Sequence, residues 1–158
     1  VAFEIRSKAF SASEKIPREY SGEGKDISPP LLWRDVPKGT QEFALICEDP
    51  DAPQDTPFVH WIAYKIPANV TELPQNLPKQ KKLAKPVAIL QGVNSFDKIG
   101  YGGPMPPKRH GTHHYHFRLL ALDSPLPEMP GLDIDEFKKL VAGHVLEQAE
   151  VIGTYERH

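Results

Sequence analysis

Three short stretches of this sequence concentrate side chains able to handle charge and protons. Asp49-Pro50-Asp51-Ala52-Pro53 sets two carboxylates among prolines, and Gly111-Thr112-His113-His114-Tyr115-His116 gathers three histidines and a phenol. Between them, His60 interrupts the apolar run Phe58-Val59-His60-Trp61-Ile62-Ala63-Tyr64. A carboxylate beside an imidazole fixes its tautomer and raises its pKa, so Asp49, at the end of a strand pattern, is expected to orient His60. The chemistry on offer is capture of a small phosphate or carboxylate, or acid-base work on a bound water.

Each feature also has a plainer explanation. Carboxylates among Pro50, Pro53 and Pro57 accept backbone N–H bonds in Asx turns. A histidine in an apolar row is commonly a hydrogen-bonded core residue. The histidine cluster invites a metal, but strand periodicity puts His113, Tyr115 and Phe117 on one face and His114, His116 and Arg118 on the other. His114 and His116 alone make a poor ion clamp beside the cationic Arg118, so no metal site is expected. The inner face instead offers the His113 imidazole and the Tyr115 hydroxyl. Ahead of it, Gly100-Tyr101-Gly102-Gly103-Pro104-Met105-Pro106-Pro107 can expose backbone N–H groups where proline is absent. Together these residues are expected to form a donor-rich cup, provided one histidine is protonated or turns its proton inward. Anion binding should then weaken above about pH 7 as histidines with pKa near 6.5 lose charge.

The elements that must position these groups are mostly strands. Apolar, β-branched and aromatic runs recur at Ala2 to Arg6, Leu31 to Trp33, Glu42 to Cys47, Phe58 to Ile66, Val87 to Gln91, Tyr115 to Leu122 and Glu150 to Tyr155. In the fourth, alternation places Phe58, His60, Ile62 and Tyr64 on one face and Val59, Trp61 and Ala63 on the other. Asp133 with Glu136 resembles a capping box, and Ile134, Phe137, Leu140, Val141 and Val145 follow at helical spacing. This predicts one amphipathic helix to about Gln148, with Gly143 weakening its second half. Gln75 to Lys85, with four lysines, reads as an exposed, mobile crossing. Many strands with one late helix predict a mainly β chain of two packed sheets flanked by a C-terminal helix.

Totals narrow the function classes. At 158 residues the chain suits one domain, 1–158, burying roughly 70% of its unfolded surface. Nineteen Lys and Arg against 21 Asp and Glu give a net charge of −2, without the basic excess that nucleic acids or anionic membranes attract. Cys47 is the only cysteine, which excludes an intrachain disulfide and favours a reducing, cytoplasmic setting. A periplasmic or exported setting follows instead if a signal peptide preceded Val1. No apolar run approaches the ~20 residues of a membrane span. Seventeen prolines, about 11% of the chain, accompany two Trp, five Tyr and seven Phe, so they read as braces in ordered loops rather than as a mark of disorder.

In these residues the chain resembles the phosphatidylethanolamine-binding protein family, also called the Raf kinase inhibitor protein family, and specifically its bacterial and archaeal branch. Ile27-Ser28-Pro29-Pro30-Leu31-Leu32-Trp33 resembles the family's early strand, and Asp49 to Pro53 its acidic signature turn. His60-Trp61 stands where the pocket histidine is expected, while Gly100 to Pro104 and Gly111 to Tyr115 resemble the second signature. The resemblance covers about Phe3 to Tyr155. It implies a central antiparallel sheet, a second smaller sheet and a flanking helix. It also implies an anion pocket made by Asp49, His60, His113 and Tyr115, with Asp51, Pro53 and the wall from Gly103 to Pro106 around it. A phosphoethanolamine-like or otherwise phosphorylated ligand follows, with no cofactor. Eukaryotic members further imply kinase or protease regulation, and members of this branch a homodimer. His114 replaces the arginine usual between the signature His and Tyr, which leaves any salt bridge of that arginine in doubt. The sequence stops soon after its last strand, at His158, without the C-terminal helix of mammalian relatives, and a more open pocket is expected.

Three functions compete on this reading. Binding is favoured by converging donors without a credible nucleophile. A hydrolase would need Asp49, His60 and His113 to activate water, since no serine has a GxSxG setting. An inhibitor or scaffold would act through the proline-rich surface loops.

Overall fold

The structure, a computed structural model, describes residues 2–158. The strands are β1 (Glu4–Arg6), β2 (Leu31–Arg34), β3 (Glu42–Asp49), β4 (Phe58–Pro67), β5 (Glu72–Leu73), β6 (Lys82–Leu83), β7 (Ile89–Gln91), β8 (His113–Leu122) and β9 (Val145–Tyr155), of which the short β5 and β6 lie outside the seven expected runs. They pair antiparallel into a three-stranded sheet, order β1-β2-β5, and a six-stranded sheet, order β6-β7-β4-β3-β8-β9. The predicted mainly β, two-sheet architecture with one flanking helix is therefore the one observed.

Both faces of the large sheet are covered, which explains why every residue of β3 is buried. One face packs on the small sheet, with Trp33 of β2 and Phe3 against Phe43, and Leu45, Cys47, Trp61, Phe117 and Leu119 forming the layer between the sheets. The other face, with Ala44, Ile46, Ile62, Tyr64 and Leu120, packs on the helix α1 (Ile134–Val141) through Phe137 and Val141.

The helix begins as predicted. Asp133 accepts from the Glu136 amide while Glu136 accepts from the Asp133 amide, a complete capping box. It ends at Val141 rather than near Gln148. Gly143 takes φ +79°, the left-handed conformation in which helices commonly stop, and the His144 amide returns to the Val141 carbonyl at 3.0 Å. Val145 to Gln148, which extended the apolar spacing on paper, belong to β9 and pair with β8.

Two further expectations are corrected. The lysine-rich crossing is anchored, because Leu77 and Leu83 are buried and Lys82 and Leu83 pair with β7 as β6. The Gln91 side chain also donates to the carbonyls of Pro78 and Gln80 at 2.7 and 2.9 Å. In β4 the simple alternation fails at His60. Cys47 stands opposite Trp61 and Glu48 opposite Val59, so His60 is the extra residue of a β-bulge. The bulge reverses parity: Val59, Ile62 and Tyr64 face the helix, while Trp61 and Ala63 enter the core between the sheets. His60 is thereby aimed with Phe58 toward the start of β8.

Candidate functional site

Where β3 ends and β4 and β8 begin, a cavity of about 220 Å³ opens at one end of the layer between the sheets. His113 and Tyr115 of β8, Asp49 of β3, and Phe58 and His60 of β4 lie at its floor and side. Ala52 and Pro53 of the acidic turn, Phe96, Met105, Pro106 and Pro107 build the walls, and Gln54 sits at the rim with its Nε2 donating to the Thr56 carbonyl. Six of the eight residues predicted for the site thus line one cavity: Asp49, Pro53, His60, Pro106, His113 and Tyr115.

Asp51 and Gly103 do not line it. Asp51 Oδ2 accepts from the His114 backbone amide and lies 2.8 Å from His114 Nδ1 on the exposed outer side. Partial burial pushes the Asp51 pKa up, but these bonds outweigh it and hold the carboxyl below its usual range. Gly103 is turned the other way, its amide donating to Asp26 Oδ1 at 2.6 Å. A Cβ there would lie 2.4 Å from the Tyr20 carbonyl oxygen, so the close approach of these two chain segments requires glycine. The Gly102 amide is likewise engaged, donating to the His60 carbonyl at 2.8 Å. The glycine-rich stretch therefore does not offer these two amides to a ligand; it shapes the wall.

The histidine pairing also differs from expectation. Asp49 orients His113, with Oδ2 2.6 Å from Nδ1, and both side chains are buried. Adjacent strands β3 and β8 bring them together, whereas the bulge gives His60 a different partner. His60 Nδ1–H donates to the Gly102 carbonyl at 2.6 Å. Burial pushes the His60 pKa below its ordinary value despite that bond and the nearby Asp49 charge, which keeps the ring neutral with its lone pair on Nε2. On the far side of His113, Nε2 meets Nδ1 of His110 at 2.6 Å. Asp49, His113 and His110 thus form a chain from the buried strand end to an exposed loop. The cup expected to be rich in donors instead directs the Nδ1 protons of His60 and His113 into the protein.

Of the side chains at the floor, the Tyr115 hydroxyl and His60 Nε2 keep polar atoms free. Among the described residues, the fully buried side-chain N and O atoms without a partner are Glu48 Oε2 and Arg157 Nε, so these two atoms of Tyr115 and His60 keep their opening onto the cavity they line. Burial, reinforced by the Asp49 charge, holds the phenol well above its usual pKa and hence protonated. The walls are aromatic: Phe58 lies 4.9 Å from the His60 ring and 4.7 Å from Phe96, and Tyr115 meets His60 edge-on at 5.0 Å. Phe58 was within reach of strand alternation, sharing parity with His60. His110, three residues before His113, and Phe96, in the β7–β8 connection, carry no periodic signal that would have assigned them.

On the outer face, His116 and Arg118 both contact Glu150, and Arg118 also pairs with Glu48, so these residues face away from the cavity as predicted. No group of three metal-ligating side chains is found among the described residues.

The profile of the phosphatidylethanolamine-binding proteins matches residues 6–156. The chain belongs to the phosphatidylethanolamine-binding protein family. The UPF0098 protein PH1269 of Pyrococcus horikoshii is 47% identical over 151 residues, covering 96% of this chain and 75% of its own. Solved family structures agree in fold. The Chlamydia trachomatis homolog CT736 superposes with a TM-score of 0.88 at 35% identity over 99% of both chains. Escherichia coli YbcL, described as a new member of the mammalian family, does so with 0.92 at 32% identity over the whole of both. Within this family fold, no helix among the described residues is long and apolar enough to cross a membrane.

Proposed function

We propose that the chain binds small phosphorylated or carboxylated groups without chemically transforming them. The observation that carries this reading is the pair of unpartnered polar atoms, Tyr115 hydroxyl and His60 Nε2, meeting at the floor of an aromatic-walled cavity. An oxyacid that keeps a proton supplies a complementary acceptor and donor at adjacent oxygens. Asp49 and His113 support the floor by locking one another in place, and family membership favours a ligand-binding role.

Turnover is disfavoured by what the cavity lacks. Among the described residues its lining contains no serine or cysteine. Cys47 is sealed within β3, and burial, with the adjacent Glu48 and Asp49 charges, pushes its thiol well above the usual pKa. Isothermal titration with phosphoethanolamine, phosphotyrosine and acetate, on the wild type and His60→Gln, tests the reading. Binding that is lost or strongly weakened in the variant supports it, and equal heats for both proteins contradict it.

A further inference from the structure

The cavity is unusual for an acid-binding site in that no lysine or arginine lines it among the described residues. The charged side chain at its floor is the carboxylate of Asp49, and neither histidine beside it turns its Nδ1 proton toward the cavity. His60 gives Nδ1–H to the Gly102 carbonyl, and His113 gives Nδ1–H to Asp49 while its Nε2 is occupied by His110. The free side-chain pair at the floor is therefore one donor, Tyr115 O–H, and one acceptor, His60 Nε2. A fully ionised oxyanion satisfies the first and confronts the second lone pair to lone pair. An oxyacid that keeps one proton satisfies both, accepting from Tyr115 through one oxygen and donating its own O–H to His60 Nε2.

Resting on the binding function proposed above, we infer that the site selects the protonated form of its ligand: a hydrogen phosphate monoester or an undissociated carboxylic acid carrying an apolar or aryl group. The group attached to the acid lies against Phe58, Phe96 and Met105. Phe96 and Met105 are large apolar side chains left 39% and 42% exposed at the cavity edge.

The surroundings of His60 support this placement of the proton. From β3 it faces the charge of Asp49, and from β8 the hydroxyl of Tyr115 and the His113 ring that Asp49 holds. From the glycine-rich stretch it faces the Gly102 carbonyl, with Asp26 behind Gly103 and paired to Lys79 at 3.2 Å. His110 is bound to His113, and Asp51 is turned outward to His114. Burial disfavours placing the extra proton on His60 itself, so the neutral ring accepts it as a hydrogen bond from the ligand.

A matched pair of ligands separates a proton carried by the ligand from one held by the protein. Phenyl phosphate has a second pKa of about 6 and exists partly as the hydrogen form near that pH; phenyl sulfate has the same shape and no proton to give. Titration calorimetry on the whole chain at pH 6 and pH 8 is expected to show phenyl phosphate binding at pH 6. That binding should weaken about fifty-fold by pH 8, in step with loss of the hydrogen form. Phenyl sulfate is expected to bind at least about tenfold more weakly than phenyl phosphate at pH 6, having lost one hydrogen bond of two. Equal affinity for sulfate and phosphate at pH 6, or phosphate binding unchanged at pH 8, overturns the inference and leaves the cavity an ordinary anion site. Failure of both ligands to bind at either pH overturns the proposed function with it.

Discussion

Asp49 and His113 stand 64 positions apart in the sequence, and their side chains meet at 2.6 Å with each 2% exposed. The contact joins the last residue of β3 to the first of β8 and fixes the His113 tautomer with the proton on Nδ1. Asp49 Oδ1 also accepts from the Asp51 amide at 2.8 Å, so one carboxylate closes both the strand pair and the turn. Asp49→Asn keeps the shape but weakens charge-assisted bonds at a buried site. A loss of about 1–3 kcal/mol in urea unfolding is expected. A variant as stable as the wild type would show that the pair is not supporting the cavity floor.

Tyr115 is the complementary case, because its hydroxyl has no partner among the described residues. Tyr115→Phe should leave the urea midpoint unchanged and weaken phenyl phosphate about tenfold, the worth of one hydrogen bond. A large stability loss with unchanged affinity would place the hydroxyl in the fold instead of the site.

His60 links the site to acid stability. Burial keeps its folded pKa below the ordinary 6.5, so the unfolded chain takes up the proton first and stability rises with pH through that window. The contribution is complete above about pH 6.5 and is lost as the pH falls through the folded value. His60→Gln has no proton to gain. Its urea midpoint should fall less between pH 7.5 and pH 5 than that of the wild type, and equal falls would contradict the assignment.

Gly102 makes room for an aromatic wall. A Cβ at this position would lie 2.5 Å from the Phe96 ring, which is partly exposed and free to swing aside. Gly102→Ala should therefore weaken phenyl phosphate by about 1 kcal/mol while sparing methyl phosphate, the contrast that isolates the ring contact. Equal weakening of both ligands would point to a displaced floor rather than a displaced wall.

Gly143 tests the corrected end of α1. In a helix interior, Gly→Ala stabilises by about 1 kcal/mol. At φ +79° the same change forces a side chain into the left-handed region and should cost about 1 kcal/mol or more. The sign of the change in thermal unfolding decides between the two.

These cases show what was legible in the chain. Alternation along β8 correctly separated His113 and Tyr115 from His114, His116 and Arg118, since that strand keeps an unbroken register with β9 up to Ala121. It failed in β4, where one inserted residue reverses the faces, and a bulge depends on the partner strand rather than on local pattern. Nearness in sequence pairs Asp49 with His60, but sheet order places β8 on the other side of β3 and supplies His113. The proton directions of His60 and His113 rest on the Gly102 carbonyl and His110, both contributed by loops whose course no periodicity encodes. Val141 and Val145 fit a helical repeat as well as a strand, and Gly143 decided between them.

An oxyacid resting between Tyr115 and His60 would be seen in a crystal structure of the chain grown with phenyl phosphate at pH 6. Phosphoryl oxygens are expected about 2.7–3.0 Å from Tyr115 Oη and His60 Nε2, with the phenyl ring against Phe58 and Phe96 and the Asp49–His113 contact intact. Phosphate bound at another surface, or seated here without contacting either atom, would contradict this placement.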